Sequence, residues 1–198
     1  MSLRLKEIMK YNLILASRSP RRQTLLNGLD LDFQIIVKST DESYPSDIPL
    51  EEVPEFLSKK KAKAIDLSGR AKNTIVITAD TVVILDNKII EKPKSEEEAI
   101  AMLQRLSGKS HTVVTGVSLT SLEKQMSFSA SSKVHFRKLN LQDIEYYVHQ
   151  YQPFDKAGSY GIQEWIGYIA IESIEGSFYN VMGLPTQLLY EKLIEFVG

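Results

Sequence analysis

The sequence has no cysteine among its 198 residues. That excludes disulfides, cysteine nucleophiles and thiolate metal sites, and it fits a reducing compartment. It also has almost no net charge: 24 Lys and Arg against 25 Asp and Glu leave −1. No overall field therefore draws it to nucleic acid or to a membrane surface, and any basic site must be local. No segment approaches the roughly 18 consecutive apolar residues of a membrane span. Residues 1–10 are mixed and charged, without the apolar stretch of a signal peptide, so the cytoplasm is the expected location. Repeats, low-complexity tracts and an obvious linker are all lacking. The three histidines, His111, His135 and His149, stand at no metal-ligand spacing and read as sheet or surface residues. What remains is 43% hydrophobic and 25% charged, the balance of a soluble globular protein. The length suits one domain, residues 1–198, with a sizeable core.

Two short apolar runs, 11–16 (YNLILA) and 74–79 (TIVITA), read as buried strands. After the first, Ser19 reads as an N-cap and Pro20 suits the first helical position, with Gly28 ending that helix. Residues 33–37 read as a strand and 38–49 as loop. Residues 50–67 carry apolar side chains at helical spacing (Val53, Phe56, Leu57, Ala64) with lysines on the outer face. Asp80 and Thr81 are expected at the end of the second strand. The segments 82–85 and 88–90 flank a tight turn at Asp86-Asn87. Ser95 with Glu98 makes a capping box for a helix that Gly108 closes. Residues 111–122 and 126–136 read as a strand pair. Asn140 caps a helix to about Tyr151, 168–174 is a strand and 186–197 a helix. Strands and helices alternate, with at least one long hairpin, so the class is α/β with a mixed sheet rather than a pure doubly wound fold.

Four constellations carry candidate chemistry. In 17–22 (SRSPRR), Arg21 and Arg22 share the first turn of a helix, where the dipole disfavours cations. An anion there would gain the free N–H groups, the hydroxyls of Ser17 and Ser19, and both guanidinium forks, so a phosphate or polyphosphate fits. An ordinary capped helix whose arginines pair with acidic neighbours fits as well. The glycines and GK[ST] ending of a Walker loop are missing. Asp80, beside Thr81, can hold a divalent cation or accept a proton from water, or simply cap a turn. Lys92 precedes Pro93, which fixes its approach, and it reads as a phosphate-directed or a solvated lysine. Of the run Lys59, Lys60, Lys61 and Lys63, at most one or two can face a site. In 155–163 (DKAGSYGIQ), Gly158 and Gly161 permit tight backbone geometry. Gln163 beyond them can pair with the acceptor–donor edge of a pyrimidine, or act as a turn glutamine with no ligand. Trp165 reads as packing, with the border of a base pocket as the other reading.

Taken together, 13–22 (LILASRSPRR), 77–93 (ITADTVVILDNKIIEKP), 102–119 (MLQRLSGKSHTVVTGVSL), 154–163 (FDKAGSYGIQ) and 174–185 (IEGSFYNVMGLP) resemble the Maf family of nucleotide pyrophosphatases. They stand in the family's order and span nearly the whole chain. The resemblance implies a long mixed sheet flanked by helices, in two lobes around a central cleft, related to the inosine triphosphatase fold. It implies hydrolysis of a nucleoside triphosphate between the α and β phosphates with a divalent cation, Mg2+ or Mn2+. By motif, Asp80 matches the proton acceptor. Arg21, Thr81 and Gln163 match positions tied to substrate choice, and Ser17, Arg22, Glu42, Lys61 and Lys92 match other cleft positions. The expected metal ligands are Glu42 and Asp80. ADT with GIQ resembles the dTTP and UTP branch rather than the 7-methyl-GTP branch. Glu164-Trp165 departs from the small, glycine-rich step usual after the glutamine and bears on the size of the base pocket. The family is also associated with septum formation and division arrest, so a nucleotide-binding regulator without turnover is one alternative, and a pyrophosphatase of the 7-methyl-GTP branch is the other. A homodimer is expected by family analogy alone.

Overall fold

A computed structural model of the chain describes residues 3–198, so the first two residues of the charged N-terminal stretch lie outside the described residues. The sheet has seven strands. β1 (Asn12–Leu15) lies between β2 (Phe33–Ile35) and β3 (Thr74–Leu85) and runs parallel to both. Parallel strands are covered on both faces, which is why YNLILA and TIVITA are unbroken apolar runs rather than alternating ones. β4 (Lys88–Ile90) returns antiparallel on β3. The connecting Asp86 and Asn87 both have positive φ, 51° and 56°, as a two-residue type I′ turn requires. β5 (Ser110–Thr120) and β6 (Gln125–Phe136) are neighbours joined by a short turn, closed by Ser121 N donating to Lys124 O at 2.9 Å. β7 (Ile171–Glu175) pairs antiparallel with β6. The order is β2-β1-β3-β5-β6-β7, with β4 on β3. The expected mixed α/β sheet with flanking helices is what the chain forms.

The helices are α1 (Leu3–Ile8), α2 (Pro20–Asn27), α3 (Val53–Lys63), α4 (Glu96–Leu106), α5 (Leu141–Tyr151), α6 (Trp165–Ala170), α7 (Phe178–Met182) and α8 (Thr186–Val197). Their starts follow capping chemistry. Ser95 Oγ accepts from Glu98 N at 3.3 Å and Asn140 Oδ1 from Asp143 N at 2.7 Å. Glu98 reaches one residue further back than an ideal capping box and accepts from Lys94 N at 2.8 Å. The expected 50–67 helix is a 3-10 turn at Leu50–Glu52 followed by α3, with Pro54 in the first turn where its missing N–H is harmless. Gly28 ends α2 in the right-handed region, at φ −65°, not the left-handed one. The strand expected at 168–174 begins only at Ile171, because 165–170 are helical. Gly167 permits that helix: a Cβ there would lie 1.8 Å from the Ile162 carbonyl oxygen.

One correction bears on the site. Asp80 and Thr81 are not at a strand end; β3 continues through them to Leu85. Nothing at that point breaks a strand, since Thr81, Val82, Val83 and Ile84 are all β-branched and favour extended backbone.

The chain forms two compact units. The first comprises residues up to Asp80, Thr115–Ala130 and Gly183–Gly198; the second comprises Thr81–Val114 and Ser131–Met182. In the first, Ile14, Ile65 and Val76 form a buried cluster with Ala16, Ile36 and Leu67 packed on it. There α3 lies against β5 at Gly116, where a Cβ would come within 2.2 Å of Glu55 N. Buried hydroxyls satisfy one another: Ser58 Oγ and Ser118 Oγ are 2.8 Å apart, and Thr78 Oγ1 donates to Ser58 O at 2.8 Å. The core of the second unit gathers Leu103, Leu106, Val134, Ile144, Tyr147 and Ile166. Among the described residues no helix is long and apolar enough to cross a membrane.

Candidate active site

The loop between β1 and α2 folds on itself through Ser17, which is buried. Its hydroxyl accepts from Ser19 N at 3.2 Å and from Arg22 Nη1 at 3.5 Å. Ser19 is the N-cap, accepting from Arg22 N at 3.5 Å. The first turn of α2 holds no acidic residue and carries Arg21 and Arg22. Arg22 Nε also donates to Gly183 O at 2.8 Å, which fixes the guanidinium. Burial pulls the Arg22 pKa down and Arg21 adds to that, while Asp80 and Glu42 oppose it.

The lysine run on α3 divides its work. Lys59 pairs with Glu55 one turn back at 2.6 Å. Lys60 Nζ binds Asp41 Oδ2 at 2.7 Å and Ser43 O at 2.9 Å, pinning both sides of Glu42. That contact, with two hydrogen bonds from Ser43, holds the Asp41 carboxyl well below the usual range. Lys61 alone turns inward. Its Nζ lies 2.5 Å from Asp80 Oδ1 and 2.8 Å from Glu42 Oε1. Asp80 is 9% exposed, so this ion pair is largely shielded from water.

That cluster bears on the expected metal. Among the described residues no group of three or more His, Asp or Glu converges as a self-sufficient cage. Two carboxylates, however, already meet at one cationic nitrogen, so the ammonium stands where a cation can be shared. Magnesium is commonly held by one or two carboxylates with the remaining ligands from water and substrate phosphate. Glu42 and Asp80 fit that donor set.

The second unit carries Thr81, Lys92 and Gln163. Thr81 is half-buried on β3 and Lys92 is exposed on the loop after β4. Gln163 lines a cavity of about 220 Å³ together with Ile162, Gly167, Tyr168, Ile174 and Phe178. Its Oε1 is buried and meets no hydrogen-bond donor among the described residues. A buried orphan acceptor costs about 1–3 kcal/mol, which a ligand's N–H would recover. Trp165 packs edge-on against Tyr146 at 4.9 Å and does not line this cavity. His111, His135 and His149 lie where expected, two on strands and one on the exposed face of α5. The structure thus joins Ser17, Ser19 and Arg22 by hydrogen bonds and Glu42, Lys61 and Asp80 by ion pairs, both in the first unit, with Arg22 coupled electrostatically to Asp80 and Glu42.

A profile for the family described as "Maf-like protein" matches residues 12–196. The chain belongs to this family. Three curated relatives of the Maf-like chain are each named "dTTP/UTP pyrophosphatase". The protein of Bacteroides thetaiotaomicron is 54% identical over 93% of this chain and 95% of its own. That of Porphyromonas gingivalis strain W83 is 51% identical over 97% and 98%. That of Parabacteroides distasonis is 49% identical over 97% and 100%. A solved structure of the Staphylococcus aureus Ham1 protein overlays 63% of the Maf-like chain and 71% of its own. The TM-score is 0.41 and the identity 16%.

Sequence reasoning overlooked the Gly183 carbonyl that fixes Arg22, and the side chains of Tyr147 and Lys156, which meet Glu164 beside Gln163. The first contact spans 161 residues and has no local signal. Lys156 lay inside the segment singled out for its glycines, and a buried lysine there demands a carboxylate.

Proposed function

We propose that this Maf-like chain is a metal-dependent hydrolase that converts dTTP and UTP to the nucleoside monophosphate and pyrophosphate. The carrying observation is Lys61 gripped by Asp80 and Glu42, a set in which Arg22 takes part electrostatically. Carboxylates and cations crowded together suit a polyanion that arrives with its own cation. Relatives 49–54% identical that are named for this reaction support the reading.

On this reading residues 1–198 are one Maf-like domain of two lobes. Ser17, Ser19, Arg21, Arg22, Lys61 and Lys92 neutralise and orient the phosphates. Glu42 and Asp80 would hold Mg2+ or Mn2+, which would supply charge neutralisation and make water more acidic. Lys61, released from the two carboxylates, takes a phosphate as its partner. Asp80 accepts the proton of the water that attacks phosphorus in line. Gln163 Oε1 accepts the N3–H of uracil or thymine while Nε2 donates to the 4-oxo group; Thr81 and Arg21 join it in substrate choice. In the cytoplasm such an activity would clean the nucleotide pool of pyrimidine triphosphates and bear on septum formation and division arrest.

Initial rates over all common nucleoside triphosphates and 7-methyl-GTP, with Mg2+ and with Mn2+, test this. dTTP and UTP are expected to lead the panel. Faster turnover of GTP or 7-methyl-GTP overturns the pyrimidine assignment.

A further inference from the structure

Glu164 is the N-cap residue of α6, yet its side chain makes no capping hydrogen bond. The side chain is committed elsewhere. Glu164 Oε2 accepts from the Tyr147 hydroxyl, and Oε1 lies 3.1 Å from Lys156 Nζ. Lys156 is 7% exposed and binds Asp155 Oδ1 at 2.8 Å as well. The Tyr147 hydroxyl in turn accepts from Gly161 N at 3.0 Å. Tyr147 is fully buried, and that burial with the Glu164 contact pushes its phenol pKa up, keeping it a donor.

These contacts tie together the two ends of the turn 161–164, which Glu164 N closes by donating to Gly161 O at 2.9 Å. A Cβ at Gly161 would sit 2.7 Å from the Glu164 carboxyl carbon, so a larger residue there would push that carboxylate aside. Gln163 lies inside the tied turn, with its Oε1 buried and lacking a donor. An unsatisfied buried group persists only where its surroundings over-determine its position. The brace supplies that constraint.

We infer that Glu164, anchored by Tyr147 and Lys156, is a positioning residue that presents Gln163 to the nucleobase and so sets base discrimination. This rests on the pyrimidine triphosphate reading above. Glu164 touches neither phosphate nor metal in that reading, so its loss acts on binding of the base rather than on the reacting phosphorus.

The test is a double-mutant cycle between Glu164→Ala and Gln163→Ala, read as KM, kcat and the kcat/KM ratio of UTP over GTP. Glu164→Ala is expected to raise KM for UTP about tenfold with kcat within about threefold. The UTP-to-GTP ratio should fall about tenfold, and in the Gln163→Ala background by less than about twofold. Tyr147→Phe should act in the same direction. Glu164→Gln, which keeps an acceptor for Tyr147, should restore most of the ratio, and it carries the cycle if Glu164→Ala does not fold. A lowered melting temperature with an unchanged base ratio overturns the inference, and so does an equal effect in both backgrounds. If the wild type turns over neither UTP nor dTTP, the catalytic reading falls by itself. The brace is then tested by calorimetric binding of UMP and GMP, and equal affinities in wild type and Glu164→Ala overturn it.

Discussion

His111 and Tyr160 give a quantitative prediction about the core of the second unit. His111 Nε2 and the Tyr160 hydroxyl lie 2.7 Å apart, and both rings pack edge-on against Phe136 at 5.0 Å. Burial, helped by the nearby His135, pulls the His111 pKa down from 6.5 to about 4. In the unfolded chain the imidazole protonates near its ordinary value, whereas the folded protein refuses the proton until about pH 4. The unfolded state therefore holds more protons in that window. Stability from this group is complete above the ordinary pKa, is lost as pH falls toward 4, and is level below it. The full loss is about 3 kcal/mol, a large part of the roughly 5–15 kcal/mol that holds a domain folded. His111 Nδ1 already lacks a partner among the described residues. Tyr160→Phe strips Nε2 as well and should cost about 1–3 kcal/mol near neutral pH. His111→Phe should cost about as much, because it strands the phenol. The double variant removes both polar groups from an aromatic cluster and should cost less than either single change. Urea unfolding followed by the fluorescence of Trp165, the one tryptophan, at about pH 7.5 and about pH 4 measures all of this. The wild type should lose about 3 kcal/mol more than the double variant over that interval. Equal losses, or single effects that simply add, refute the reasoning.

Three further outcomes follow from the first unit. Gly116→Ala forces a methyl to 2.2 Å from Glu55 N, a backbone atom that cannot turn aside. It should cost at least about 1–3 kcal/mol, read as a lower urea midpoint. Lys61→Met leaves Glu42 and Asp80 without their shared cation; melting in EDTA should fall below wild type, and added Mg2+ should raise it by more than it raises the wild type. Asp80→Asn should lower turnover by about 10²–10⁴ while calorimetry still detects UTP, and near-normal rates remove Asp80 from its role.

Much of the fold could be read locally, because caps and turns are local chemistry. Ser19, Ser95, Asn140 and Asp86-Asn87 each specify their own backbone, and the structure follows them. What escaped depends on distant partners. Residues 168–170 suit a strand by composition but close α6, whose helical form rests on Gly167 lying against Ile162. Asp80 ends the apolar run 74–79 but not the strand, because the β-branched residues after it carry β3 onward. At the candidate site the residue types were legible and their division of labour was not. Nothing in Lys59-Lys60-Lys61 says which one turns inward; that follows from Lys60 being occupied by Asp41 and Ser43. The orphaned Gln163 oxygen likewise becomes visible only once the segment is folded around it.

The most direct measurement is the identity of the products. Phosphorus NMR of UTP incubated with the protein and Mg2+ should show UMP and pyrophosphate appearing together, and far more slowly with the Asp80→Asn protein. UDP with orthophosphate would place the cut at the terminal phosphate and contradict the account.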